Sequence, residues 1–589
     1  MVRKSGIAAA AAAAAALLLE STFAVVIPTL DLHDWTTNSY DYIIVGAGPA
    51  GIIVADRLSE TGAKTLLLEQ GGPSYGITGG QEKPGWLNGT DLSRVDVPGL
   101  YSTIFATGSD TLLCNERYSA YGGCNIGGSS SINAGLFFEP PSSDWDTFHP
   151  PGWKSADVAP AIKRLYQRQP YVQTTSQDDQ FYEQSGYDAA RKWLVDGAGY
   201  TEIDINAQAD RKSAVFGHAE YDYNNGQRGG PATTYLQTAL ARSNFQLQSN
   251  VTVLRAVRSG SRVTGVLATV DGYAADVVIK LTAAGRVIFS GGAIFSPSLL
   301  MHSGIGDPEV LATMATNGAL DPALPPSSWI NNTNVGTGLF DNPNTFIELS
   351  SPIVDSYTYT YEEPVASDAA LYLNNRSGPY SFAGQTSVFW TYINHTDSAP
   401  SGLQGTIGTA GSSDFTNSST ITLNVYGTSG MLSTGHVVLT QQKQQGCNNT
   451  KFIPGPSSGV YYSDAAGRDA HDIAQFIFDI FSSLDRDGEK GGSSLVPLNI
   501  AQNATVEEIK TYITTPSSYA VGAVQHWSSS CRIGKCVDNS TRVIGMENLH
   551  VIDASILAPL TVNPQFGVMV AGERGAELIR KLDEASVLA

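Results

Sequence analysis

Three features of the sequence predict a mixed α/β protein of two domains. First, an apolar run, Tyr40 to Val45, enters Gly46-Ala47-Gly48-Pro49-Ala50-Gly51, then a helical pattern from Ile52 to Glu60 and a second apolar run, Lys64 to Glu69. Second, between about residues 350 and 515 the texture changes to alternating stretches such as Thr420 to Tyr426 and His436 to Thr440, rich in Ser, Thr, Gly and Asn. Third, Leu549 to Asp553 and Gly567 to Leu582 return to strand and helix. The expected class is α/β, or α+β in two domains. One domain is discontinuous and built on a Rossmann-like βαβ unit; the other is built on an antiparallel sheet flanked by helices.

Each element has its reason. Both Tyr40 to Val45 and Lys64 to Glu69 are near-continuously apolar, as parallel strands buried on both faces are. Val287 to Ser290 reads as a further strand running into Gly291-Gly292-Ala293, with a helix from about Ser296 to Met301. The Rossmann-like domain is expected over 38–135, 230–345 and 526–589, and the second domain over 136–229 and 346–525.

The first unit carries chemistry. Gly46 permits a tight turn, Gly48 lets backbone approach a pyrophosphate, and Gly51 allows close packing of helix on strand. Ala47, Pro49 and Ala50 complete the loop, and an anion over the helix start meets free N–H groups and the favourable end of the dipole. Glu69 ends the second strand at the spacing of an acid that accepts hydrogen bonds from ribose hydroxyls. This pattern alone does not separate FAD from NAD.

Composition narrows the partners. A formal net charge of −20 over 589 residues argues against nucleic acid and anionic membrane surfaces. At the start, Arg3 and Lys4, an apolar run from Gly6 to Leu19 and Thr22-Phe23-Ala24 have the form of a signal peptide over 1–24, too short to be a membrane anchor. Secretion is expected, with a vacuolar or other secretory lumen as the alternative. Asn88, Asn250, Asn331, Asn375, Asn394, Asn417, Asn448, Asn503 and Asn539 each head an Asn-x-Ser/Thr triplet. In an oxidising compartment the close cysteine pairs predict Cys114–Cys124 and Cys531–Cys536, with Cys447 free. No metal site is expected, because no CxxC pair has a nearby His.

Two further segments point to a family. The runs Gly123-Cys124-Asn125-Ile126-Gly127-Gly128-Ser129-Ser130-Ser131-Ile132-Asn133, with Phe138 and Pro140 after it, and Gly292 to Gly306 resemble the two signature motifs of the glucose–methanol–choline (GMC) oxidoreductases. The resemblance runs from about residue 40 to the end. It implies FAD, with Ser129, Asn133, Ala134, Gly135, Val253, Asp553, Ala554, Pro564 and Gln565 among its contacts. Cys124 is expected in a disulfide and no His lies in the 123–133 motif, so the FAD is expected to be non-covalent.

The resemblance also assigns His526, in Gln525-His526-Trp527, as the base and Asn563, in Thr561-Val562-Asn563-Pro564-Gln565, as the group that holds the substrate oxygen. An imidazole with a pKa near neutrality suits removal of a hydroxyl proton as hydride leaves the carbinol carbon. His33, His149, His218, His302, His395, His436, His471 and His550 are read as packed or surface histidines. The helix beginning near Phe566 is expected to turn its positive end toward the flavin.

Within the family the sequence is similar to the flavin domain of fungal cellobiose dehydrogenases, notably in Tyr40 to Gly72, Gly230 to Arg242, His526 to Gly534 and Asn563-Pro564-Gln565. The cytochrome domain of those enzymes is absent, so no haem is expected. Phe105 matches a sugar-contacting aromatic. Ser102 stands where that group has a glutamate, Leu112-Leu113 replace tryptophans, and Val524 replaces a polar residue beside His526. These departures point toward a smaller or more apolar alcohol. The expected substrate is thus a sugar or other alcohol, and the expected acceptor oxygen, a quinone or a redox protein. A tailoring alcohol oxidase of secondary metabolism is the second enzyme reading. A non-catalytic or lyase-type flavin binder is the reading from another class, against which His526 and Asn563 argue.

Overall fold

In the computed structural model, residues 35–105, 110–114, 121–443, 450–457, 464, 467–484 and 494–588 are described. Residues 1–24, expected to form a signal peptide, and His33, Cys447 and Asn448 lie outside the described residues.

Ser39–Val45 is the centre of the first sheet. Thr65–Leu68 pairs parallel to one side of it, with Phe245–Gln248 beyond. On the other side lies the long strand Val277–Phe289, whose last residues pair parallel with both Ser39–Val45 and Leu549–Val551. Its first residues instead pair antiparallel with Arg262–Val270, which in turn pairs with Val251–Ser259. One strand therefore joins a Rossmann-like parallel core to an antiparallel meander. The helix Pro49–Ser59 and the terminal helix Gln565–Leu588 pack on this core, joined in one apolar cluster by Ile52, Ile53, Met569 and Val570.

The second sheet also has seven strands among the described residues. Their order is Val496–Pro497, Asn344–Ser350, Thr420–Gly427, Ser401–Gly408, Gln385–Ile393, Val215–His218 and Thr201–Glu202. All pairings but the last are antiparallel. Period-2 alternation sets its faces. Phe389, Leu403, Ile407 and Val425 cluster with Ile473, Ile477 and Ile480 of the helix Arg468–Ser482. Val388 and Trp390 look the other way, toward Val562, Tyr101 and Tyr359.

The two expected strands of the 350–515 region fall in different sheets. Thr420 to Tyr426 belongs to the seven-stranded one. His436 to Thr440 lies in Gly435–Lys443, which pairs with Thr450–Pro456 and Thr337–Leu339 in a separate sheet, and Val437 clusters with Ala293 and Ile294. Both expected disulfides, Cys114–Cys124 and Cys531–Cys536, are present. Among the described residues no helix is long and apolar enough to cross a membrane.

Candidate active site

The glycine loop is shaped by backbone crowding. Gly46 sits at φ +106°, and a Cβ there would overlap the Ser290 carbonyl. A Cβ on Gly51 would overlap the Gly46 carbonyl oxygen, so only glycine lets the helix come this close to the strand. Over Gly48 the reverse holds. An added Cβ there meets nothing nearer than Ser290 O at 4.0 Å, and no side chain caps the helix that starts at Pro49. That leaves an open cradle at a helix N-terminus. Ala50 is packed in the core beneath it.

The acid and the signature loop close around this cradle. Glu69 is buried and accepts from Ala47 N (2.7 Å) and Gly71 N (2.9 Å), so one carboxylate fixes the loop from beneath. Gly127 N donates to Ala47 O at 2.8 Å, and a Cβ on Gly128 would stand 2.8 Å from Gly48 Cα. Ser129 is exposed and its hydroxyl accepts from Gly123 N. Asn133 donates to Gln565 Oε1 (2.8 Å) and accepts from Gly135 N and Arg228 Nη1. Gln565 in turn donates to Leu136 O. These bonds tie the loop to the start of the terminal helix. Ala134 accepts a hydrogen bond from Tyr223 OH, and Gly135 takes the left-handed φ of +74°. Val253 is a buried position of the meander.

Asp553 is saturated by protein donors: Gly292 N, Ser296 Oγ, Ser555 N and Ser555 Oγ. Its side chain therefore braces the second motif against the 549–556 segment. Burial raises its pKa above the usual carboxylate value, against those donors.

The imidazole of His526 meets the backbone of Val562, the neighbour of Asn563. His526 lines a small cavity with Phe340, Ala554, Leu560, Thr561 and Pro564, the last two flanking Asn563 in sequence. Its Nδ1 is buried and hydrogen-bonds to no described residue, and the same holds for Asn563 Oδ1. Buried polar atoms are ordinarily paired, so two orphans at one spot mark a place that another molecule completes. Burial lowers the imidazole pKa to about 4, with the Val562 backbone working weakly the other way. That is well below the near-neutral value expected, because desolvation disfavours the cation.

Val524 is half-buried and donates its N–H to Asp341. Phe105 packs edge-on against Tyr121 at 6.0 Å, and Tyr121 N donates to Gln525 Oε1, so this pair stands beside the His526 loop.

Two family models, both described as GMC oxidoreductase, match residues 40–344 and 454–572. The chain belongs to the GMC oxidoreductase family. It is an FAD-dependent oxidoreductase acting on CH–OH donors. The fit to FAD is visible in the molecule: an open glycine cradle at an uncapped helix start, and two orphaned polar atoms at the far site.

An oxygen-dependent choline dehydrogenase of Staphylococcus saprophyticus is 26% identical over 92% of this chain and 95% of its own length. The dehydrogenase eriK of Hericium erinaceus is 27% identical over 92% and 94%. A formate oxidase of Aspergillus oryzae has the same fold, with a TM-score of 0.71 at 17% identity over 93% of this chain and 99% of that one.

Several residues of this GMC site escaped the sequence reading. Asp341 accepts the N–H groups of Val524, Gln525 and His526. Gln404, fully buried on Ser401–Gly408, accepts Val562 N at 3.2 Å and leaves its Nε2 unpaired. Arg228, buried behind the signature loop, donates to Ser130 O and Asn133. None lies in a motif; each acts across a long sequence separation.

Proposed function

We propose that this protein is a secreted, N-glycosylated enzyme that oxidises a CH–OH group with His526 as base and Asn563 holding the substrate oxygen. The observation that carries the reading is that His526 Nδ1 and Asn563 Oδ1 are both buried without a partner among the described residues, with the backbone of Val562, the neighbour of Asn563, against the imidazole. FAD, when bound, would supply the two-electron acceptor for the hydride. The imidazole receives the hydroxyl proton as the carbinol C–H bond breaks and the carbonyl forms. With a pKa of about 4 the ring is neutral, and so able to accept that proton, across the mildly acidic range. Through its Nδ2 N–H, Asn563 keeps the oxygen in line while charge builds on it.

Secretion is supported by the exposure of all eight triplet asparagines among the described residues, Asn88, Asn250, Asn331, Asn375, Asn394, Asn417, Asn503 and Asn539, and by the two disulfides. The FAD is held without a covalent bond, since Cys124 is in a disulfide; denaturation should release the yellow colour into solution.

The likeness of Gly230 to Arg242 and His526 to Gly534 to cellobiose dehydrogenase flavin domains favours a sugar. Leu112 and Leu113 favour a second reading, an alcohol oxidase or dehydrogenase that tailors a secondary metabolite. Both are buried and apolar where that likeness places tryptophans. Anaerobic mixing of the holoenzyme with sugars and with aryl and allylic alcohols, followed by flavin bleaching, separates the two. Bleaching by some member of the panel is expected, and reoxidation by oxygen or a quinone then identifies the acceptor. A holoenzyme bleached by no alcohol or sugar would overturn the reading.

A further inference from the structure

We propose that Asp341 is a positioning residue for the oxidation, holding the backbone that carries His526; this rests on the reading of His526 as the base. Asp341 is 1% exposed. Its Oδ2 accepts from Val524 N (3.2 Å) and Gln525 N (2.8 Å), and its Oδ1 from His526 N (2.8 Å) and Asn342 N (2.8 Å). Three successive N–H groups converge on one carboxylate, the pattern by which a peptide loop encloses an anion. Such a loop needs a left-handed residue, and Gln525 supplies it at φ +65° without being glycine. A side-chain-bearing residue keeps that conformation only where its surroundings hold it.

The surroundings do hold it. Phe340 and Ser528 exchange backbone hydrogen bonds of 3.0 and 2.9 Å, clamping the two segments on one side of the carboxylate. Asn342 Nδ2 donates to Gly427 O at 2.8 Å, anchoring the same turn to the second sheet. The Gln525 side chain reaches Tyr121 N and Trp527 Nε1, each at 3.1 Å. Against this, His526 Nδ1 has no partner among the described residues, so that nitrogen does not help to fix the ring. The ring's other tie is to the Val562 backbone; beyond that its position follows its own backbone, which the Asp341 carboxylate gathers.

The substitution that tests this is Asp341→Asn. An amide turns one accepting oxygen into a donor that faces N–H groups, so part of the loop loses its partner. A displacement of the base by a fraction of an ångström to an ångström lowers the chemical step by about 10²-fold. The expected result is a folded, yellow enzyme whose kcat falls at least tenfold. KM should stay within about twofold, and the primary deuterium isotope effect on flavin reduction should rise or hold as C–H cleavage becomes limiting. A merely structural role would lower the melting temperature and leave kcat of the folded fraction untouched.

An unchanged kcat, or a change confined to KM, overturns the proposal. Should Asp341→Asn fail to fold or to bind FAD, amide exchange of the wild-type holoenzyme decides. Protection of the 524–526 amides comparable to that of Phe340 and Ser528 supports the clamp, and free exchange overturns it. If His526→Ala abolishes flavin reduction while Asp341→Asn does nothing, this inference alone falls. If His526→Ala itself is harmless, the reading beneath it falls.

Discussion

The acids beside the first seven-stranded sheet and the amides and hydroxyls beside the second are satisfied to different degrees. On the sheet centred on Ser39–Val45, the key acids are satisfied by the protein: Glu69 holds two loop N–H groups and Asp553 accepts from four donors. Beside the sheet containing Gln385–Ile393, polar atoms are left over. Gln404 Nε2, Tyr359 OH and Asn563 Oδ1 are all buried without a partner among the described residues. An unpaired buried polar group is costly unless something else completes it. The glycine loop and the Asp553 brace therefore form a backbone mould completed by the protein, whereas the substrate side keeps polar groups that a hydroxyl-bearing ligand can complete.

If that contrast is right, damage to the mould should remove the colour, and damage to the other side should leave colour and alter rates. The largest effect is expected from Gly51→Val, whose side chain would overlap the Gly46 carbonyl oxygen. The purified variant should be colourless, with its visible flavin band absent; a stoichiometric yellow protein would break the contrast at its strongest point.

Next in size is Asn563→Ala, which should stay yellow. Stopped-flow reduction should slow by about 10²-fold, the usual loss when one group that steadies a developing oxyanion is removed. Gln404→Leu should also stay yellow and keep a measurable kcat. It would leave Val562 N–H unpaired, a cost of about 1–3 kcal/mol, and should raise KM about tenfold for a polar alcohol more than for an apolar one. Equal changes for both alcohols would mean that Gln404 only packs.

The smallest effect is on stability. Burial raises the pKa of Asp144 to about 6, Asp222 to about 7 and Glu220 to about 8. A carboxyl whose folded pKa lies above its unfolded value stabilises the fold at low pH, and that contribution is lost as pH rises through the folded value. Calorimetry should therefore show a melting temperature that these groups pull down by a few degrees between about pH 4 and pH 8, from their unfolded values up to their folded ones. Glu220→Gln should flatten the upper part of that slope.

The same contrast explains what could be read in advance. Gly46, Gly48 and Gly51 were legible because backbone crowding admits one residue type, and that restriction is written locally. The cysteine pairs were legible because the partners are near in sequence. Strand alternation located His436 to Thr440 as a strand but not its partner, since period-2 patterning fixes faces and not neighbours. It pairs with Thr337–Leu339 and Thr450–Pro456 instead of joining the larger sheet. Asp341 follows the short strand Thr337–Leu339 in a segment without a motif; its role exists only once residues 524–526 arrive. The pKa of about 4 at His526 was likewise out of reach, because burial is a property of the assembled site.

The central claim is that the imidazole of His526 removes the proton that allows hydride to leave. The most direct measurement is the rate of anaerobic flavin reduction in His526→Ala against wild type, at equal FAD occupancy, near pH 6.5 and with whichever alcohol bleaches the wild type fastest. A fall of about 10³-fold with an unaltered oxidised flavin spectrum is the predicted result. A variant that bleaches as fast as wild type would contradict it.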